Sequence, residues 1–248
     1  MINREATQYW DLLLAQSPWS ADVLRGAFAY NGEILDQGYP RNDVLAPEND
    51  SQDRRLQVRK HLGIGDQQRV VLYAPTWRDN LKDSSGHYSR VDFLDIPRSV
   101  AKLGPKYTVL FRSHSNGIHG KAKRMPRGAK DVTLYPSIND LIIASDALVT
   151  DYSSIMFDYV VTGRPIIFIA PDIETYAGNT RGFYFDFQNR APGPVVRTAE
   201  GAIDAIKMAL RDPRQKSDKY WQFLADFAPA DDGYAGQRAA ARILEMLD

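Results

Sequence analysis

Unbroken apolar runs alternate with amphipathic stretches along this chain, and the clearest case is Ala147 to Pro171, ALVTDYSSIMFDYVVTGRPIIFIAP. ALVT is a short apolar run, as expected for a strand buried on both faces. DYSS follows, with Asp and Ser side chains suited to starting a helix. IMFDYVVT then carries apolar residues at helical spacing, and Gly163 stands where a helix end favours a left-handed residue. Pro165 opens PIIFIAP, a second buried strand. The pattern predicts a βαβ unit of parallel strands. Its helix starts at the carboxyl end of the first strand, where open α/β sheets place ligands.

The rest of the chain extends the pattern. DLLLAQS reads as a strand, and Ser17 or Ser20 starts a helix over SADVLRGAFAYN that closes near Asn31-Gly32. EILDQGYPRNDVL gives a short strand and then a loop set by Gly38 and Pro40. Polar APENDSQD marks a boundary or hinge, and DRRLQVRKHLGI is an amphipathic helix ended by Gly63. RVVLYAPTW and KYTVLFRSHS are strands. Between them lie a polar loop, DNLKDSSGHYSR, and a helix over FLDIPRSVAKLG that Pro97 is expected to break. NGIHGKAKRMPRGAKD is a basic, Gly-rich loop, DVTLYPS a short strand and INDLIIASD a helix. DIETYAGNTRGFYFDFQNRAPGPVV reads as one long loop, and such loops are usually functional. Two or three helical stretches close the chain, AEGAIDAIKMAL, PRQKSDKYWQFLADF and YAGQRAAARILEML. Strands alternating with helices predict an α/β fold, a doubly wound, Rossmann-like parallel sheet.

Composition narrows the function classes. The 248 residues suit one α/β domain or one and a half. With 31 basic and 31 acidic residues the net charge is zero, so nucleic acid is not an expected partner. Absence of Cys excludes disulfides, thiolate nucleophiles and Cys-ligated zinc. The four His residues form no His-x-x-x-His pair, so no metal is expected, and no cofactor either. The apolar runs are strand-sized, which predicts no membrane span, and the N-terminus has no long apolar signal segment. No GxGxxG follows a strand, and neither GxxxxGK[ST] nor GxSxG occurs.

Polar and cationic groups sit at three strand ends: Thr76 with Arg78, Arg112 with His114, and Ser153 with Ser154. In a parallel sheet these ends converge on one edge. An Arg fork and an imidazolium suit a diphosphate, and free N–H groups at a helix start favour the same anion. Blander readings compete. Asp151 or Ser153 would serve as an ordinary helix cap, Arg78 as a solvated loop charge, and His114 as a cap or surface residue. Asp151 would repel phosphate unless it points away. Asp158 suits ribose hydroxyls, or equally a surface cation.

Taken together, GYPRNDVL (38–45), YAPTWRD (73–79), FRSH (111–114), INDLIIASDALVTDYSSIMFDYVVTGRP (138–165) and the loop 171–196 resemble the CDP-glycerol glycerophosphotransferase family, the teichoic-acid primases and polymerases. The resemblance runs from about Tyr9 to about Gly236. It implies a two-lobed fold of the GT-B type whose C-terminal lobe binds CDP-glycerol. On this chain it implies that Arg112 and His114 act as the catalytic pair on the diphosphate, and that Ser153 and Ser154 hold it from the helix start. Thr76 and Arg78 would flank it, and Asp151 belongs to the same binding turn. Asn139 and Asp140 would lie near the nucleotide, with Asp158 on the ribose. The implied reaction is attack by a polyol hydroxyl on the β-phosphorus, releasing CMP and extending a chain on an undecaprenyl diphosphate lipid. Glycerol and ribitol both fit, and so do primase and polymerase.

One departure qualifies the resemblance. Family members carry a Trp-His-Gly motif whose His is the implied general base. This chain has only Ile118-His119-Gly120, in the wrong lobe and without the Trp. The expected division is 1–45 as a remnant of the acceptor-side lobe and hinge, 46–230 as the CDP-polyol-binding domain, and 231–248 as a C-terminal helix packing back on the N-terminal part. The chain would then be a donor-binding half: a fragment, a truncated product, or a subunit whose missing lobe comes from another chain or a second copy. Its expected place is cytoplasmic, peripheral on the inner membrane face through that lobe. The competing classes are a nucleotide-binding module without chemistry and a UDP-sugar epimerase or glycosyltransferase.

Overall fold

Strands that a parallel sheet buries on both faces must be apolar at every position, not at alternate ones. The computed structural model, which describes residues 6–49, 52–76, 93–113, 125–179 and 183–247, puts such strands at the centre of a six-stranded parallel sheet. Strands β3 (Arg69–Tyr73), β4 (Tyr107–Phe111), β5 (Ala129–Asp131), β6 (Ala147–Thr150), β7 (Ile166–Ile169) and β8 (Val195–Val196) run in the order β5-β4-β3-β6-β7-β8. The order reverses direction between β3 and β6, which is the switch point of a doubly wound sheet. Alternate side chains serve opposite faces. Val70, Leu72, Leu110, Leu148, Ile166 and Phe168 share one core with α4 (Ile138–Ala144), α5 (Ile155–Tyr159) and α9 (Asp218–Phe227). Val71, Tyr73, Val109, Phe111, Val149 and Ile167 share the other with α3 (Ile96–Leu103) and α8 (Ala199–Ala209).

A separate pair of parallel strands, β1 (Leu12–Leu14) and β2 (Glu33–Leu35), flanks α1 (Pro18–Phe28). Ser17 caps α1 in a reciprocal pair with Ser20, so it is Ser17 that starts the helix. A 3-10 turn over Pro40–Leu45 leads away from this pair toward α2 (Gln52–His61). The last helix, α10 (Ala235–Glu245), returns to the same region. The Asp43 carboxylate accepts from the backbone N–H of Ala235 and of Gly236, both at 2.8 Å, and so caps α10 from across the chain. Arg242 forks onto Glu33 at 2.5 and 2.6 Å. Asp231, buried, accepts from Gln16 Nε2 at 2.5 Å, the Tyr39 N–H at 2.7 Å and Asn42 Nδ2 at 3.1 Å. No helix among the described residues is long and apolar enough to cross a membrane.

Several sequence expectations need correction. Pro97 does not break a helix: it lies in the first turn of α3, where its missing N–H is not needed, and Asp95 caps that turn through the Arg98 N–H at 3.0 Å. The strand expected at 131–137 is β5, which ends at Asp131. The Asp131 carboxylate accepts the Thr133 N–H at 3.0 Å, turning the chain out of the sheet and leaving Leu134 exposed. The helix after DYSS is α-helical only to Tyr159 and tightens to a 3-10 turn over Val160–Thr162 before Gly163, which has the expected left-handed φ of 64°. The segment after Pro171 is not one loop. It carries α6 (Ile173–Asn179), α7 (Phe187–Arg190) and β8.

Candidate functional site

Because β4, β3 and β6 are neighbours, their carboxyl ends fall side by side. The sequence-predicted groups at those ends separate into a central set and a flanking set. At the switch point, Thr76 donates its backbone N–H at 2.7 Å and its hydroxyl at 2.5 Å to Asp151 Oδ1. The same oxygen accepts the Tyr152 N–H at 2.7 Å. Asp151 is only 1% exposed. Through Oδ1 it ties the end of β3 to Tyr152 in the DYSS turn. The cap position belongs to Ser154, which makes no side-chain capping bond. Ser153 is half-buried and Ser154 exposed, and neither hydroxyl has a hydrogen-bond partner among the described residues.

Arg112 follows β4, and its own N–H donates to the Tyr73 carbonyl at 2.9 Å, which locks it against β3. Its guanidinium donates from Nη1 to the Tyr135 carbonyl at 2.7 Å and makes no ion pair among the described residues. Burial alone pulls its pKa below the usual arginine value, with no carboxylate opposing the shift. The group stays charged, so a partly desolvated cation stands at the sheet edge without a counter-charge among the described residues. The next residue is held as well, Ser113 N–H donating to Thr133 Oγ1 at 3.0 Å. His114 and Arg78 lie outside the described residues.

The flanking set is already occupied. Asn139 donates its side-chain amide to the Arg41 carbonyl. Asp140 Oδ1 accepts Arg54 at 2.7 and 3.2 Å. Asp158 Oδ1 accepts Arg41 Nη2 at 3.0 Å and Nε at 3.3 Å. Of the two sequence readings of Asp158, pairing with a cation is the one seen. Arg41 and the carbonyl of Tyr135 are the partners of these side chains that sequence reasoning missed. Arg41 stood inside the quoted GYPRNDVL stretch, but no local pattern says that residue 41 returns to a helix more than a hundred residues later. Among the described residues no cluster of three or more His, Asp or Glu is arranged to hold a metal ion.

Known proteins share this sequence and fold. The chain is 38% identical over 244 residues to the teichoic acid poly(glycerol phosphate) polymerase of Bacillus spizizenii, a match covering 97% of this chain and 60% of that protein. It is 35% identical over 243 residues to the teichoic acid glycerol-phosphate transferase of Staphylococcus aureus, covering 98% and 62%. The solved structure of the wall teichoic acid polymerase TagF superposes with a TM-score of 0.85 at 33% identity, over 99% of this chain and 61% of that one. The chain thus spans about three fifths of the length of these relatives. The family model described as CDP-glycerol:poly(glycerophosphate) glycerophosphotransferase matches residues 2–245. On a match of that extent, with the parallel sheet and its cationic edge in place, the chain belongs to the CDP-glycerol:poly(glycerophosphate) glycerophosphotransferase family.

Proposed function

We propose that this chain supplies the donor half of a glycerophosphotransferase, holding CDP-glycerol at the carboxyl edge of the sheet while a polyol hydroxyl attacks its β-phosphorus. The observation that carries the reading is Arg112, a partly buried guanidinium with no ion-pair partner among the described residues. Such a cation favours a diphosphate, because the ligand supplies a counter-charge that no described residue provides. Its place beside the β3/β6 switch point is where doubly wound sheets take nucleotides. The hydroxyls of Ser153 and Ser154, without partners among the described residues, would donate to the same phosphates.

In the reaction the new O–P bond forms as the bond from the β-phosphorus to the bridging oxygen breaks. The electron pair leaves with CMP. Negative charge grows on the departing phosphate, and Arg112, with His114 beside it in the chain, would stabilise it there. Thr76 and Arg78 would flank the diphosphate. Asp151 acts in this reading as the strut that joins Thr76 to the DYSS turn. Asn139 and Asp140 would border the nucleotide and Asp158 the ribose, each exchanging a present partner for a ligand group. The proton of the attacking hydroxyl would go to a base of an acceptor-side lobe, since no Trp-His-Gly motif is present in this chain. That lobe would rest on residues 1–45 and α10, with 46–230 as the donor domain of a GT-B pair. The acceptor would be a polyol-phosphate chain on a lipid diphosphate.

Calorimetric titration of CDP-glycerol, with UDP-glucose as control, tests the reading. Cytidine-selective binding is expected, weakened about 10–100-fold in Arg112→Ala, the range for losing a hydrogen bond to a charged group. Ser153→Ala is expected to weaken it less. Equal binding of UDP-glucose, or indifference to both substitutions, would overturn it.

A further inference from the structure

The segment that crosses from the N-terminal strand pair to α2 is held on one side by Asp231, through Tyr39 and Asn42, and by the cap that Asp43 places on α10. Asn42 and Leu45 are buried. Arg41, between the anchors, points the other way, and its side chain is 56% exposed. Its guanidinium lies 4.1 Å from the centroid of the Tyr39 ring. Among the described residues it touches one carboxylate only, and only one oxygen of it, through Nε and Nη2. Of the five N–H donors of an arginine, three have no partner among the described residues.

That carboxylate is Asp158, four residues after Ser154. Residues i and i+4 share a helix face, so the Arg41 guanidinium continues the row that begins with the free Ser154 hydroxyl at the DYSS turn. The Arg41 carbonyl is also tied to Asn139, at the start of α4. An exposed single-oxygen pair of this kind is screened by water and weakly held, a small hold for a phosphate to break.

We propose that Arg41 is a phosphate-binding residue, delivered to the site by the crossing segment and parked on Asp158 until a phosphate displaces the carboxylate. The proposal rests on the reading of this sheet edge as the CDP-glycerol site. The exchange explains the charge balance: Asp158 would repel a phosphate placed beside the intact pair, but once released it is free to accept hydroxyls. The ligand chemistry is a polyol phosphate, and it has two sources, the diphosphate of the donor or a phosphodiester of the acceptor.

The test titrates three probes, CDP-glycerol, cytidine and a short glycerol phosphate oligomer, into the wild-type chain, Arg41→Ala, Arg41→Lys and Asp158→Asn, with circular dichroism confirming the fold of each. Arg41→Ala is expected to weaken phosphate-bearing probes about 10–100-fold and leave cytidine unchanged. Arg41→Lys should recover part of the loss, keeping the charge without the fork. Asp158→Asn should strengthen the oligomer, which has no ribose, because it frees the guanidinium. A loss confined to CDP-glycerol identifies the donor diphosphate, and one confined to the oligomer identifies the acceptor. Unchanged phosphate binding in Arg41→Ala would overturn the proposal. So would equal weakening of all three probes by Arg41→Ala and Asp158→Asn, the signature of a tie between segments. Wild-type chain that binds the oligomer through Arg41 but not CDP-glycerol would sink the proposed function and leave this inference standing. Binding of none of the three would overturn both.

Discussion

Strands β6 and β1 are both short and apolar, ALVT and LLL, yet they live in different surroundings. Every residue of β6 is buried, between β3 and β7 and between two layers of helix. All three leucines of β1 stay half-exposed, in a two-stranded sheet. The central sheet is held by apolar area removed from water, which has no direction and little dependence on pH or salt. The N-terminal part packs Trp19 on Phe157, Phe185 and Phe227, and beyond that contact it is joined to the rest by directed polar contacts: Asp231 on Gln16, Tyr39 and Asn42, Asp43 on α10, Arg242 on Glu33, Arg41 on Asp158. One molecule thus contains a region built for permanence and another whose attachments can be titrated, screened or exchanged.

The largest effect should come from the central sheet. Phe168→Ala removes a fully buried ring packed at right angles to Phe187. It should cost about 3–5 kcal/mol in urea unfolding, with the same loss at every salt concentration. A loss below about 1 kcal/mol would mean that this core is loosely packed.

Asp231→Ala comes next. It strands three donors that converge on one buried carboxylate, and unsatisfied buried groups cost about 1–3 kcal/mol each, so a loss of about 2–4 kcal/mol is expected once water reaches some of them. Asp231 also sets a pH dependence. Burial holds its pKa above the usual aspartate range, outweighing the hydrogen bonds that act to lower it. A raised carboxyl pKa means that the folded state keeps the proton longer than the unfolded chain. Its contribution is therefore full below the ordinary aspartate value and is lost as pH rises through the folded value. Wild type should lose stability relative to Asp231→Asn across that window, measured as the difference between the two melting curves against pH. A difference that grows in the opposite sense would refute the assignment.

Gly38→Ala should follow, at about 1–2 kcal/mol, the scale of local backbone strain. Gly38 has φ of +88°, and an added Cβ would stand 2.5 Å from the Ala230 carbonyl oxygen. Loss of the contacts around Tyr39 should appear in hydrogen exchange before the central sheet opens. Arg242→Ala should be the smallest effect. Its partner Glu33 has a pKa held below the ordinary glutamate value by the Arg242 hydrogen bond, so the contribution is present above that ordinary value and fades as pH falls through the folded one. The pair is solvent-exposed, so added salt should erase most of the difference in melting temperature between variant and wild type.

The gradient between the two regions also marks how far the sequence could be read. Strands β3, β4, β6 and β7 were legible because burial on both faces demands unbroken apolar runs, and their carboxyl ends marked Thr76, Arg112, Ser153 and Ser154 as edge residues. Where a strand is edge-placed and three residues long, as β5 is, the polar Lys130 and Asp131 hide it, and the apolar letters of the exposed turn beyond suggest a strand that starts two residues too late. Pro97 misled for a related reason: a proline forbids the interior of a helix but suits its first turn, and only the Asp95 cap tells the two apart.

The partners of the site's side chains were not legible at all. Nothing near Asp151 in the chain announces Thr76, 75 residues away, and nothing near Asp158 announces Arg41. Apolar periodicity, turn chemistry and capping act over a few residues, so the sequence alone determined the α/β class, the parallel central strands, the left-handed Gly163 and the family to which the motifs belong. Ion pairs and buried hydrogen bonds depend on which segments meet, and that follows from the strand order and the crossing of the chain. The tertiary structure alone therefore decided that Asp151 joins Thr76 to the DYSS turn, that Arg112 keeps its charge without a counter-ion among the described residues, and that Arg41 pairs with Asp158.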